Sequence, residues 1–239
     1  MSITQLLILQ ILAHLLADYF FQSDKWVESK NNRGIKSRYF LMHVAIVFFI
    51  SWLLSFQWIF VMGAGIITLL HTILDILKSR LSRVSWAERY LFFTDQILHL
   101  IIIVAVVSWY HNNFALSNWT NTWLFSERTL VLITAFLFCT KPANIIIREI
   151  FKFYAISVPK TSETPQDLPN AGQLIGNIER LLTLTFMLIG HFEAVGLLIA
   201  AKSILRFGEK DHLKSEYVVI GTLLSFGIAI FTGVLLRFY

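Results

Sequence analysis

Three pairs of ionisable residues stand four apart inside apolar runs: His14 with Asp18, His71 with Asp75, and Asp95 with His99. A helix stacks residues at that spacing along one face. Gln22 continues the first series, and His43 is a lone histidine in the next apolar run. Burying such groups in hydrocarbon is costly, so they are usually kept for a purpose. Imidazole and carboxylate are natural ligands of a divalent cation, zinc first, which makes His14, His43, His71, Asp75 and His99 candidate metal ligands. Asp18 and Asp95 are then candidates for acid/base work beside the ion. Two other readings use the same residues. Carboxylate–imidazolium pairs could carry protons or ions, or hydrogen bonds could simply tie the helices together.

The elements that position these residues read as membrane spans. The chain is 56% hydrophobic and 15% charged, with 21 Phe and 7 Trp, against about a quarter charged in a soluble domain. Apolar runs predict spans over Ser2–Gln22, Tyr39–Ser55, Ile59–Leu77 and Tyr90–Trp109. Between the first two lie Lys25, Lys30, Arg33, Lys36 and Arg38, and after the third come Lys78, Arg80, Arg83 and Arg89. Basic loops face the cytoplasm, so the N-terminus is expected outside. Phe56-Gln57-Trp58 is a tight external turn, and the Asn-, Thr- and Trp-rich stretch from His111 to Ser126 an external loop. The opening run has no basic n-region and no small-residue cleavage pattern, so it reads as a span and not a cleaved signal.

The second half is less regular. The run Leu130–Cys139 is broken by Thr140-Lys141-Pro142, where proline ends or kinks the helix. Beyond it, Ile146, Ile147, Ile150, Phe151 and Tyr154 form a stripe opposite Asn144, Arg148, Glu149 and Lys152, either a kinked continuation or an amphipathic surface helix. Residues 157–172 hold three of the four prolines and read as a cytoplasmic loop. Leu174–Phe207 is long for one span and short for two. Gly190-His191-Phe192-Glu193 divides it into a hairpin, which returns Lys202, Arg206, Lys210 and Lys214 to the cytoplasm. Tyr217–Leu236 is the last span. The fold class expected is an all-α transmembrane bundle of about eight spans, seven being the alternative, with both termini outside. Two modules are expected, 1–122 and 123–239.

This topology brings the pairs to one depth. His14, Asp18, His43, His71, Asp75, Asp95 and His99 all fall near cytoplasmic helix ends, within roughly 12 Å in height at ~1.5 Å per residue. Four consecutive helices delivering His or Asp to one level is not expected of scattered polar residues. Their number exceeds one tetrahedral site, leaving room for two metals or for one metal and an acid/base group.

Elsewhere the chemistry is sparser. No HExxH, Gly-x-Ser-x-Gly, P-loop or dinucleotide motif occurs. The single Cys139 excludes an internal disulfide and a cysteine-built zinc site, and reads as an apolar filler. The net charge of +5 lies in short loops and orients helices, so no nucleic-acid partner is expected; the partner is the bilayer. Gly172 and Gly176 suit close helix packing. Arg180, Lys202 and Arg206 either join Glu179 and Glu216 in an ion-pair network or form a cationic pocket for phosphate or an anionic headgroup.

At His14-Leu15-Leu16-Ala17-Asp18-Tyr19 with Gln22, His43, His71 with Asp75, and Asp95-Gln96 with His99, the chain resembles a bacterial inner-membrane family known only as a domain of unknown function. Gly176-Asn177-Ile178-Glu179-Arg180, Ala201–Phe207 and Glu216–Thr222 look like its extended members. The resemblance implies an inner-membrane protein and no particular activity. A fainter similarity is to membrane-bound metal-dependent hydrolases, whose histidine pattern is not matched residue by residue. Three functions follow as expectations: a metal-dependent hydrolase of a phosphorylated or lipid-linked substrate, a proton- or ion-coupled transporter, or a non-catalytic membrane partner subunit.

Overall fold

The computed structural model of the chain describes residues 1–23, 26, 29, 37–82, 88–116, 126–156, 171–204 and 212–239. All regular elements among them are helical. Five helical stretches are long and apolar enough to cross a bilayer: Ile3–Phe20, Arg38–Ser55, Trp58–Leu81, Arg89–Asn113 and Ser215–Phe238. A bent pair, Glu127–Phe138 with Lys141–Phe153, makes up to six among the described residues. Large apolar side chains such as Leu41, Leu53, Leu69, Ile101, Leu223 and Phe231 lie exposed along these helices, as surfaces solvated by lipid do.

About eight spans is not confirmed: among the described residues, the helices of the run Leu174–Phe207 do not qualify by length and hydropathy. That run does break at Gly190, whose φ of +82° suits glycine. Its second helix, however, has only 13 residues, about 20 Å at ~1.5 Å per residue against a ~30 Å hydrocarbon core. Its first helix carries Gln173, Asn177, Glu179 and Arg180 in its opening half.

The chain separates into two compact units, Met1–Thr134 and Ala135–Tyr239. Trp123, near which a boundary is expected, lies outside the described residues.

The first unit is built on α1 (Ile3–Leu15), α2 (Arg38–Ser55), α3 (Val61–Leu81) and α4 (Glu88–Asn113). A capping box starts α1. The Ser2 hydroxyl accepts from the Gln5 amide at 3.0 Å, and Gln5 Oε1 accepts from the Ser2 amide at 2.7 Å. The turn between α2 and α3 is tight: Phe56 adopts a left-handed φ of 50°, and the Ser55 hydroxyl accepts from the Gln57 amide. At this end of the bundle Leu6, Phe60, Ala64, Ile67, Ile103, Val106, Val107 and Tyr110 form a packed apolar core. One level further along, Gln10 and Ser51 bond each other: Gln10 Nε2 donates to the Ser51 carbonyl, and the Ser51 hydroxyl donates to Gln10 Oε1.

In the second unit α5 (Glu127–Phe138), which straddles the division, meets α6 (Lys141–Phe153) at a 46° bend, with Pro142 in the first turn of α6. Proline fits there because a first-turn amide has no helical acceptor. Helices α7 (Ala171–Ile189), α8 (Phe192–Ile204) and α9 (His212–Phe238) complete it. Gly233 lets α9 approach α7: a β-carbon there would stand 2.6 Å from Met187 Cβ.

Candidate metal centre

The helix-end residues converge. α1 ends in a π-helical turn, Leu16–Phe20, which carries Asp18. Such turns are rare and often occur at functional sites. Regular α-periodicity gave no sign of it. The expected stack of His14, Asp18 and Gln22 therefore stops early, because Gln22 falls beyond the helix end. Buried His43 comes from α2, His71 and Asp75 from α3, and Asp95 and His99 from α4.

Four donor atoms lie closest. His43 Nε2 and His71 Nε2 are 3.0 Å apart. Asp18 Oδ1 is 3.6 Å from each of them. Asp75 Oδ2 is 3.6 Å from His43 Nε2 and 3.9 Å from His71 Nε2. The oxygens of Asp18 and Asp75 thus each lie within 3.9 Å of both imidazole nitrogens. Imidazole and carboxylate donors this close to one another are of the kinds that bind zinc. Asp18 Oδ1 is buried and makes no hydrogen bond with any described residue. An oxygen left so is costly unless something else neutralises it.

Asp18, expected as an acid/base group, and His14, expected as a ligand, fall with His71 in one group of donors that could hold an ion. His14 Nδ1 is 3.7 Å from Asp18 Oδ2, and its Nε2 hydrogen-bonds Gln96 Oε1 at 3.2 Å. Tyr19 also donates to Gln96 Oε1, at 2.7 Å. Gln96, quoted in the sequence only as part of a motif, is thus the hub that orients His14. Only a glutamine adjoining Asp95 hinted at it.

His99 stacks against His14 with ring centroids 5.4 Å apart and lies 4.1 Å from the His71 ring. Asp95 accepts from Lys78 Nζ at 2.7 Å and from Gln96 Nε2 at 3.1 Å. Lys78 was read from the sequence only as a loop charge. The electrostatic balance is plain. With the imidazoles neutral, the carboxylates of Asp18, Asp75 and Asp95 bring negative charges together in a low-dielectric site, where Lys78 pairs with Asp95. A divalent cation would offset them.

A small cavity of about 20 Å³ adjoins the cluster, lined by His14, Asp18, His71, His99, Gln10 and Ser51 among others. That is room for one or two water molecules.

A family model described as "Protein of unknown function (DUF3307)" matches residues 6–126. The chain belongs to the DUF3307 family. The matched stretch contains all seven His and Asp residues of the cluster, while the second unit lies outside it. The resemblance to a domain-of-unknown-function family is met by this match. Neither a curated protein nor a solved structure matches the chain.

Beyond the DUF3307 segment, Arg180 and Lys202 are the predicted cations that lie among the described residues. Arg180 is 1% exposed and spends its donors internally. Nε donates to the Cys139 carbonyl at 2.6 Å, Nη1 to the Ser225 hydroxyl at 2.9 Å, and Nη2 to Asn144 Oδ1 and Asn177 Oδ1 at 2.6 and 2.7 Å. The guanidinium thereby braces the α5–α6 bend. Lys202 pairs with Glu179, and Arg206 lies outside the described residues. His191 and Glu193 form an exposed pair at the α7–α8 turn, and that hydrogen bond holds the Glu193 carboxyl below its usual range.

Proposed function

We propose that the chain is an integral membrane protein whose first unit binds a divalent cation, zinc foremost, through His43, His71, Asp18 and Asp75, and that it is a metal-dependent hydrolase. One observation carries this reading: His43 Nε2 and His71 Nε2 stand 3.0 Å apart, with oxygens of Asp18 and Asp75 each within 3.9 Å of both. The ion would act as a Lewis acid on a phosphoryl or acyl oxygen. His14, oriented by Gln96, would hold Asp18 in place.

The substrate class we assign is a phosphorylated or lipid-linked molecule approaching from the end of the bundle that carries the cluster, the cytoplasmic end by the basic loops. Lys78, partly exposed at that end, suits an anionic group. The apolar core around Phe60 and Tyr110 closes the opposite end, which supports a site reached from one side over a transport path open to both.

The test is phosphate release from phosphatidic acid and from a polyprenyl pyrophosphate by the full chain in detergent. Activity should vanish with a chelator and return with zinc. A protein that binds stoichiometric metal yet hydrolyses neither substrate contradicts the hydrolase reading and leaves the metal reading intact.

A further inference from the structure

We propose that the cluster takes a second divalent cation on Asp75, Asp95 and His99, with Lys78 as the built-in ammonium that competes for that position. The proposal rests on the metal reading above and extends it from one ion to two.

The donors of this second set lie within 4.8 Å of one another. His99 is 2% exposed and Asp95 6%. Neither ring nitrogen of His99 makes a hydrogen bond with any described residue, and the same holds for Asp95 Oδ1. A buried imidazole with both nitrogens unused is unusual, since one always carries a proton or a lone pair seeking a partner. His99 Nδ1 stands 3.7 Å from Asp95 Oδ2, too long for a hydrogen bond but ordinary for two ligands of one ion. Asp75 belongs to both sets, so its carboxylate would bridge them. Shared carboxylates suit paired ions at the roughly 3.5–4 Å spacing of two-metal hydrolytic sites.

Lys78 is the only cation the structure brings onto these acids among the described residues. Its side chain is 34% exposed and sits one helical turn beyond Asp75 on α3, with Nζ 5.8 Å from the Phe92 ring centroid. A lysine at a span's end can withdraw its head to the interface along a flexible stem. Lys78 in place satisfies Asp95 Oδ2 alone. A metal ion would use Asp95 and His99 together.

The test uses Mn²⁺ as the probe on the full chain in detergent, with equilibrium binding for stoichiometry and electron paramagnetic resonance for spin coupling. The wild type should bind two ions with an exchange-coupled spectrum. Asp95→Asn and His99→Ala should each keep one ion with an isolated-ion spectrum. Lys78→Met should still bind two, the second at least tenfold tighter. Because Lys78 is partly exposed, that variant tests the idea even where an interior substitution disturbs folding. A wild type that binds one uncoupled ion, with Lys78→Met unchanged, overturns the second site and leaves the first standing. A wild type that binds no metal at all overturns both.

Discussion

His43 and His71, 28 residues apart, meet through their Nε2 atoms at 3.0 Å, with an aspartate oxygen within 3.6 Å of both. A direct hydrogen bond would satisfy one nitrogen with the other's proton. It would do nothing for the two carboxylates alongside. A shared cation satisfies all four groups. His71 also lies within reach of His14 and Asp18 in a second donor group, whereas His43 belongs to one group only. His71→Ala should therefore abolish binding of the ion shared by His43 and His71, and His43→Ala should weaken that ion's binding severely, by about a hundredfold or more. Competition with a chromogenic chelator measures both.

His14 and Gln96 act at one remove. Removing an orienting partner of a metal ligand typically costs 10–100-fold in affinity. Gln96→Leu should fall in that range, with stoichiometry preserved. A loss of one whole ion equivalent in Gln96→Leu would place the glutamine among the ligands.

The bend between α5 and α6 depends on Arg180. Lysine cannot reproduce a planar fork that feeds the Cys139 carbonyl, Asn144, Asn177 and Ser225 at once. Arg180→Lys should destabilise the second unit by roughly 1–3 kcal/mol per acceptor left unsatisfied. Metal binding by the first unit should be retained. Thermal unfolding in detergent, read beside metal content, checks both.

Gly233 faces Met187 Cβ, an atom that cannot swing aside as a side-chain tip can. Gly233→Leu should separate α9 from α7 and cost about 1–3 kcal/mol or more, as overpacking does. Gly227, beside which nothing lies within 4 Å of a β-carbon, should accept alanine with little change. The pair of melting temperatures is the readout.

The sequence disclosed the cluster because hydrocarbon makes polar residues conspicuous. Against apolar runs, an i, i+4 His/Asp pair can face only the bundle or the lipid, and the basic loops set the level at which the pairs meet. What it did not disclose depends on atomic position. The π turn at Leu16–Phe20 alters the helical register without any proline or glycine to announce it. Lys78 looked like one more loop charge until its ammonium was placed on Asp95. In the second unit, Pro142 and Gly190 marked both breaks, but the short α8 and the polar start of α7 made the span count unreadable from apolar length.

X-ray absorption at the zinc edge on the zinc-loaded full chain tests the central claim most directly. The account expects four nitrogen or oxygen neighbours at about 2.0–2.1 Å with the outer-shell scattering of two imidazoles, one imidazole being lost in His43→Ala. Zinc that stays in its hexa-aqua form, or a spectrum without imidazole scattering that is unchanged by His43→Ala, would contradict it.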